Sequence, residues 1–319
     1  MIVPDRKMSW FGLLFDMRGS TLPRIAGRLF AVFMVACGVT LESYLTGGVK
    51  HDLSVVPFTL ISLALGVFVG FRNNTSYDRY WEGRKLWGRL VNDARSFARL
   101  TLHVIAADAT PHAQLDAQGT LALQRELIHH AIAYAHALRM HLRNELSQLT
   151  ELAALLRDRD VQALSAQHNV PLALLDAMSG LVARARRAGV LRNRDVHLLE
   201  NMISDLCDVQ GGCERIKNTP IPWSYTVLMH SIVAAYCFAL PFGLIATVQL
   251  ATPLVVVLIA YAFLGLDAVG DELEEPFGKD VNDLPLSALS RMIEVNLRQM
   301  LGEADLPPLL VPGPDRTLT

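Results

Sequence analysis

The sequence predicts an all-α membrane protein, with four transmembrane helices and a large helical cytosolic region. Three observations carry that prediction. The 319 residues are 51% hydrophobic and 19% charged, with a mean hydropathy of +0.29, whereas soluble domains carry about 25% charged residues. The apolar residues are concentrated at 29–45, 53–71, 225–250 and 252–266. Between the second and third of these stretches, apolar residues recur at three- and four-residue spacing, and nothing alternates with period two.

Taken in order, residues 1–28 are polar and lack the short apolar core and cleavage site of a signal peptide, so they are expected to form a cytosolic N-terminal segment. Span one, 29–45, carries a single charge, Glu42, near its end, and span two, 53–71, carries none. Span three, 225–250, has His230 near its start and Pro241 inside, and span four, 252–266, turns acidic from Asp267. A helix needs about 20 apolar residues to cross a bilayer. The first and last spans fall short of that, so protein is expected to cover their ends.

The connections fix the expected topology. Spans one and two are joined by residues 46–52, and spans three and four by little more than residues 249–252. Of the 29 Lys and Arg residues, only Lys50 falls in either connection. Lys and Arg mark the cytoplasmic side. Residues 29–77 are therefore expected to form one transmembrane hairpin and 225–270 a second. Residues 78–224 form a helical cytosolic region and 271–319 a cytosolic C-terminal segment, with both chain ends cytoplasmic.

Within the cytosolic region, Leu123, Leu127, Ile128, Ala131, Tyr134, Ala135 and Leu138 give residues 121–146 one apolar helical face. Residues 181–216 behave similarly, with Asp195 as a candidate start cap. The polar run 165–169 and Pro171 mark a connection, and the Pro-rich tail 306–319 is expected to be extended.

Several kinds of chemistry are excluded. A net charge of −2 gives no bulk attraction to nucleic acid. Cys37 and Cys237 lie in apolar spans, while Cys207 and Cys213 lack zinc-ligand spacing and are expected as reduced thiols. His129, His130, His136 and His141 share one predicted helix without i,i+4 pairing or an HExxH motif, which favours packing roles. No nucleophile elbow, phosphate loop or dinucleotide fingerprint appears, so neither an enzyme nor a resident cofactor or metal is expected. The acidic group Asp267, Asp271, Glu272, Glu274 and Glu275 could hold a cation. Pairing with arginines after span two is the favoured reading. Glu42 and His230 are costly toward lipid and are expected to face another helix or subunit.

Span two is the candidate pore helix. Leu63, Val67 and Phe71 lie four apart and form one stripe, and Gly66 with Gly70 makes a small-xxx-small pair that admits a close helix. A narrow apolar ring can gate ions by excluding water. Every stripe of an apolar helix is apolar, however, and most such stripes face lipid or a neighbouring helix.

Three blocks carry a resemblance to a known family. The first runs Gly70-Phe71-Arg72-Asn73-Asn74, then Tyr77 and Arg79, through Glu82-Gly83-Arg84-Lys85-Leu86-Trp87-Gly88. The second is Cys213-Glu214-Arg215-Ile216 followed by Asn218-Thr219-Pro220-Ile221-Pro222 and Ser224-Tyr225-Thr226. The third is Asp271-Glu272-Leu273-Glu274, Pro276-Phe277-Gly278 and Asn282-Asp283-Leu284-Pro285-Leu286. In this order and placement they resemble the bestrophin family of ion channels in its bacterial form.

The resemblance implies a homopentamer in the bacterial inner membrane with one pore on the five-fold axis. Its partners would be the lipid bilayer, its own copies and small monovalent ions, chloride by resemblance to animal members or cations as in some bacterial ones. It implies a hydrophobic neck of Leu63, Val67 and Phe71, and a second, cytosolic constriction that aligns with His197. Arg72, Asn73, Asn74, Pro220, Pro222, Glu274 and Pro276 are the structural residues of its motifs. Five His197 side chains on one axis would gain charge in mildly acidic solution and alter conductance. The stretch Lys279-Asp280-Val281-Asn282-Asp283 has two acids and a lysine where animal members have a dense acidic run. A tight calcium site needs six to eight oxygens, so calcium gating is not expected. The competing reading is a membrane-anchored scaffold or sensor whose helical cytosolic region binds a partner.

Overall fold

Long apolar runs without period-two alternation give helices, and among the described residues every regular element is one. The computed structural model describes residues 1–2, 19–47 and 53–319. Most of the expected N-terminal segment and residues 48–52 of the first outer turn lie outside them. The helices are α1 (Leu22–Leu45), α2 (Val55–Val104), α3 (Ala117–Arg143), α4 (Asp158–Ser165), α5 (Val170–Arg187), α6 (Val196–Asn218), α7 (Trp223–Val248), α8 (Thr252–Glu274) and α9 (Leu286–Met300). Short 3-10 turns lie at Leu146–Ala154, Asn193–Asp195 and Gln249–Ala251.

The chain divides into two units, one comprising Pro4–Trp81 and Pro220–Pro276, the other Met1–Val3, Glu82–Thr219 and Phe277–Thr319. The first is an apolar helical bundle. Its core takes Ile25 and Val32 from α1, Leu65 and Val69 from α2, Val233 and Leu240 from α7, and Val256 and Leu264 from α8. Among the described residues, three segments are long and apolar enough to cross a membrane: α1, α2 and Trp223–Glu274. The third is broken where Gln249 adopts a left-handed φ of 50°, so the chain folds back there and α8 packs on α7. Gly243 on α7 lies against the Phe58 ring, which a Cβ there would approach to 2.4 Å.

Several helix limits differ from the sequence expectation, including the end of α8, which runs to Glu274 rather than Leu266. α1 starts at Leu22 rather than Leu29, because Pro23 is tolerated in a first turn that needs no donor and Ile25 is already buried. α2 does not end at Phe71 but continues to Val104. The buried face of Leu65 and Val69 continues through Arg72 and Ser76, so the polar block is a change of side chains along one helix and not its end.

The second unit is built around α3. The apolar stripe from Leu123 to Leu138 is buried, and so are Ile132, Ala133 and Ala137 on its other faces. The helix packs on α5, α6 and α9, which explains burial all round. Asp116 caps its start by accepting from the Gly119 N–H at 2.7 Å, and Asn144 ends it in the left-handed region. Residues 181–216, expected as one helical stretch, form the end of α5 and most of α6. Gly189 breaks them at φ 71°, where a Cβ would lie 2.8 Å from the His112 carbonyl oxygen. Asp195 sits at the α6 N-cap position, but its side chain makes no capping hydrogen bond and faces Arg194 at 3.6 Å. The connection at 165–169 ends at Asn169, whose Oδ1 accepts from the Leu172 N–H and caps α5. In the Pro-rich tail, Thr317 bridges to Ile2, and the Thr319 carbonyl oxygen accepts from Ala288 N–H at 2.8 Å.

The α3 histidines have separate partners. His129 Nε2 lies 2.9 Å from Glu303, His136 Nε2 lies 3.1 Å from Glu294, and His141 Nε2 lies 3.2 Å from Glu214. His130 Nδ1 meets the Glu126 carbonyl oxygen at 2.7 Å. Burial pushes the His130 and His141 pKa values down. They are packing groups rather than a converging ligand set.

Candidate functional site

The two sides of α2 within the bundle differ sharply. Leu65 and Val69 are 2% and 1% exposed, while Leu63, Val67 and Phe71 are 70%, 49% and 62% exposed. Residues two positions apart on a helix lie on nearly opposite sides. The stripe therefore points away from the subunit's own core, and water would meet an unbroken apolar surface there. Gly66 and Gly70 border the stripe, and a Cβ at either would meet nothing within 4 Å. Among the described residues no helix uses this small-residue pair, which leaves it open to a helix from outside.

Immediately after Phe71 the surroundings change. Arg72 is 1% exposed and its guanidinium is held from α8. Nη1 donates to Asp267 Oδ1 at 2.7 Å, Nη2 donates to Asp271, and Glu274 Oε2 lies at 4.0 Å. His230 of α7 meets the other Asp267 oxygen at 2.6 Å. Asn73 Nδ2 donates to the Leu266 carbonyl oxygen at 3.0 Å, and Arg79 Nε to the Glu274 carbonyl oxygen at 3.1 Å. Glu274 Oε1 in turn accepts from the Ile221 N–H at 3.0 Å, between Pro220 and Pro222 at the entrance to α7. Arg24 of α1 pairs with Glu272 at 3.2 Å. The acidic exit of α8 is thus neutralised by arginines, as expected, and His230 faces a neighbouring helix.

This cluster brings together Arg72, Asn73, Glu274 and the Pro220–Pro222 segment. Asn74 is exposed on α2 and Pro276 is buried beyond α8. Glu42 lies exposed near the end of α1. His197 is exposed in the first turn of α6, in the other unit. Sequence reading left out the direct partnership of His230 with Asp267. The available signal was one histidine and one aspartate, each on the edge of an apolar run.

Ligand atoms of His230, Asp267 and Asp271 lie within 4.8 Å of one another, close enough for a metal ion. The Arg72 guanidinium already donates to both carboxylates. A metal would have to displace a buried, permanently charged side chain. The residues fit an ion-pair lock and not a metal centre.

The comparisons agree with one another. The family model described as "Bacterial/Fungal Bestrophin protein" matches residues 1–299. The chain is 40% identical over 299 residues, 94% of each chain, to a protein of Ralstonia nicotianae named as a voltage-dependent anion channel-forming protein. It is 37% identical over 312 residues, 97% of each chain, to the Escherichia coli K12 protein of the same description. A solved bacterial bestrophin homologue from Klebsiella pneumoniae superposes with a TM-score of 0.80 at 31% identity, covering 88% of this chain and 100% of that one.

Proposed function

The chain belongs to the bestrophin family, and from that premise we propose that it forms a passive, homopentameric anion channel in a bacterial inner membrane. The observation that carries the proposal is the outward stripe of Leu63, Val67 and Phe71, exposed beside a fully packed α2 core face. One thin helical bundle encloses no aqueous path, whereas a ring of copies presenting this stripe inward makes a hydrophobic neck. Such a neck passes ions only when wetted. Gly66 and Gly70 lie beside it, free for a neighbouring copy's helix.

The remaining assignments follow from this reading. The α1–α2 pair and the α7–α8 pair are the two transmembrane hairpins, so each copy contributes four spans and both chain ends are cytoplasmic. Restriction of Lys and Arg to one side of those hairpins, apart from Lys50, supports the orientation. Arg72, Asn73 and Glu274 lock the cytoplasmic end of the bundle and fix the pore helix. His197 is assigned to the cytosolic constriction, where its exposure on α6 leaves it available to the ion path. The anion assignment rests on the relatives named as anion channel-forming proteins, because an apolar ring has no charge preference of its own.

Purified protein reconstituted into liposomes tests the proposal. Val67→Ala should widen the neck and raise chloride flux several-fold over the unchanged protein. No flux from either protein would favour a membrane-anchored scaffold.

A further inference from the structure

In the helical unit, a cavity of about 400 Å³ lies between α2 and α9, lined by Arg95, Ser96, Arg99, Asn296, Gln299 and Met300. No acidic side chain lines it. Arg95 and Arg99 stand one turn apart on α2, and both are exposed. Among the described residues neither has a carboxylate partner. This sets them apart from Arg89 and Arg298 of the same helices. Arg89 pairs with Asp93 and Asp205, and Arg298 with Glu294 and Glu303.

The cavity's polar lining is made largely of donors. Two arginines, an asparagine, a glutamine and a serine line it. The Asn296 amide nitrogen is buried with no hydrogen-bond partner, and a buried donor without an acceptor carries its full desolvation cost. The arginines are not needed to cap α9. Its last carbonyl oxygens accept from the N–H groups of Leu301, Gly302 and Glu303 at 3.1, 3.0 and 3.1 Å. What the site lacks is an acceptor-rich, negatively charged group.

We propose that this cavity binds a phosphoryl-bearing anion. The planar forks of Arg95 and Arg99 match the tetrahedral oxygens of a phosphoryl group. Asn296 and Gln299 supply further donors from the facing helix, and Met300 gives an apolar edge for the rest of a small organic phosphate. A chloride ion accepts several hydrogen bonds at once but has no separated oxygens to pair with two guanidinium forks side by side. The proposal is independent of what the channel conducts.

The test is calorimetric titration of the full-length, detergent-solubilised assembly with inorganic phosphate and with glycerol 3-phosphate, chloride being held constant. Saturable binding of either is expected, weakened about tenfold by Arg95→Gln or Arg99→Gln, as loss of one charge-assisted pair predicts. Saturation by both probes assigns the site to the phosphoryl group itself, and saturation by glycerol 3-phosphate alone assigns it to an organic phosphate. Asn296→Asp, which adds a repelling charge without removing an arginine, should abolish binding even if the arginine variants assemble poorly. Binding absent for both probes, matched by added chloride, or unchanged in the assembled variants would overturn the proposal.

Discussion

Two charged clusters handle buried charge in different ways. In the apolar bundle, one guanidinium, Arg72, neutralises Asp267 and Asp271 alone, helped by a hydrogen bond from His230. Along the α3–α9 seam the carboxylates have several partners each. Glu294 meets His136, Arg291 and Arg298, while Glu303 meets His129, Arg125 and Arg298. The bundle has a lock without redundancy, and the seam has a mesh. Loss of one partner should therefore be severe in the first and graded in the second.

The largest expected effect follows from Arg72→Met, which strands Asp267 in an apolar interior. Removing one partner of a buried pair costs about 3–5 kcal/mol. The bundle should fail to assemble or should lose about 6–20 °C of thermal stability, as read by size-exclusion chromatography and thermal unfolding. Arg72→Lys keeps the charge but cannot fork between two carboxylates, and should fall between the two. If Arg72→Met unfolds no more readily than the unchanged protein, the lock is not structural.

A smaller effect is expected from packing within the same bundle. Gly243→Ala forces a Cβ against the Phe58 ring, and overpacking of this kind costs about 1–3 kcal/mol. Gly66→Ala, with open space around it in the subunit, should leave the monomer's stability unchanged while weakening the oligomer. Native mass spectrometry beside thermal unfolding separates these outcomes.

On the seam, His136→Ala should cost about 1–3 kcal/mol, the value of a hydrogen bond to a charged group, because Arg291 and Arg298 still hold Glu294. Burial raises the Glu294 pKa, but the His136 hydrogen bond and nearby positive charges outweigh it and leave the pKa below the usual value. A depressed carboxylate stabilises the fold above its unfolded pKa and loses that contribution as pH falls through the folded value. The His136→Ala penalty should therefore be constant near neutrality and shrink in acid.

The smallest effect has the opposite sign. Burial pushes the Asp283 carboxyl up to about 6, against the hydrogen bond from the Asp280 N–H. A raised carboxylate favours the fold at low pH and loses that contribution as pH rises through 6. Asp283→Asn should thus stabilise the helical unit at pH 7 and make little difference at pH 4. Denaturation midpoints at the two pH values check this, and an equal shift at both would contradict it.

Much of this was legible in the residues. The apolar runs announced the bundle helices, and the spacing from Leu123 to Leu138 announced α3. The acidic run from Asp267 beside Arg72 announced an ion-pair exit. Other features depend on contacts that no local pattern encodes. The continuation of α2 past Phe71 follows from Arg72 and Ser76 sharing the buried face, although both are polar types. The break between α5 and α6 turns on one left-handed glycine, Gly189, in an otherwise helical composition. The link between His230 and Asp267 joins two helices across the 3-10 turn at Gln249–Ala251. Exposure of Leu63, Val67 and Phe71 is likewise a property of the assembled bundle, because the sequence makes every face of that helix apolar.

The most direct test of the central claim is the reversal potential of the purified protein in a planar bilayer under a potassium chloride gradient. The account predicts a reversal close to the chloride equilibrium potential, with larger currents from Val67→Ala at the same potential. A reversal at the potassium potential would contradict the anion assignment, and no current from either protein would contradict the channel itself.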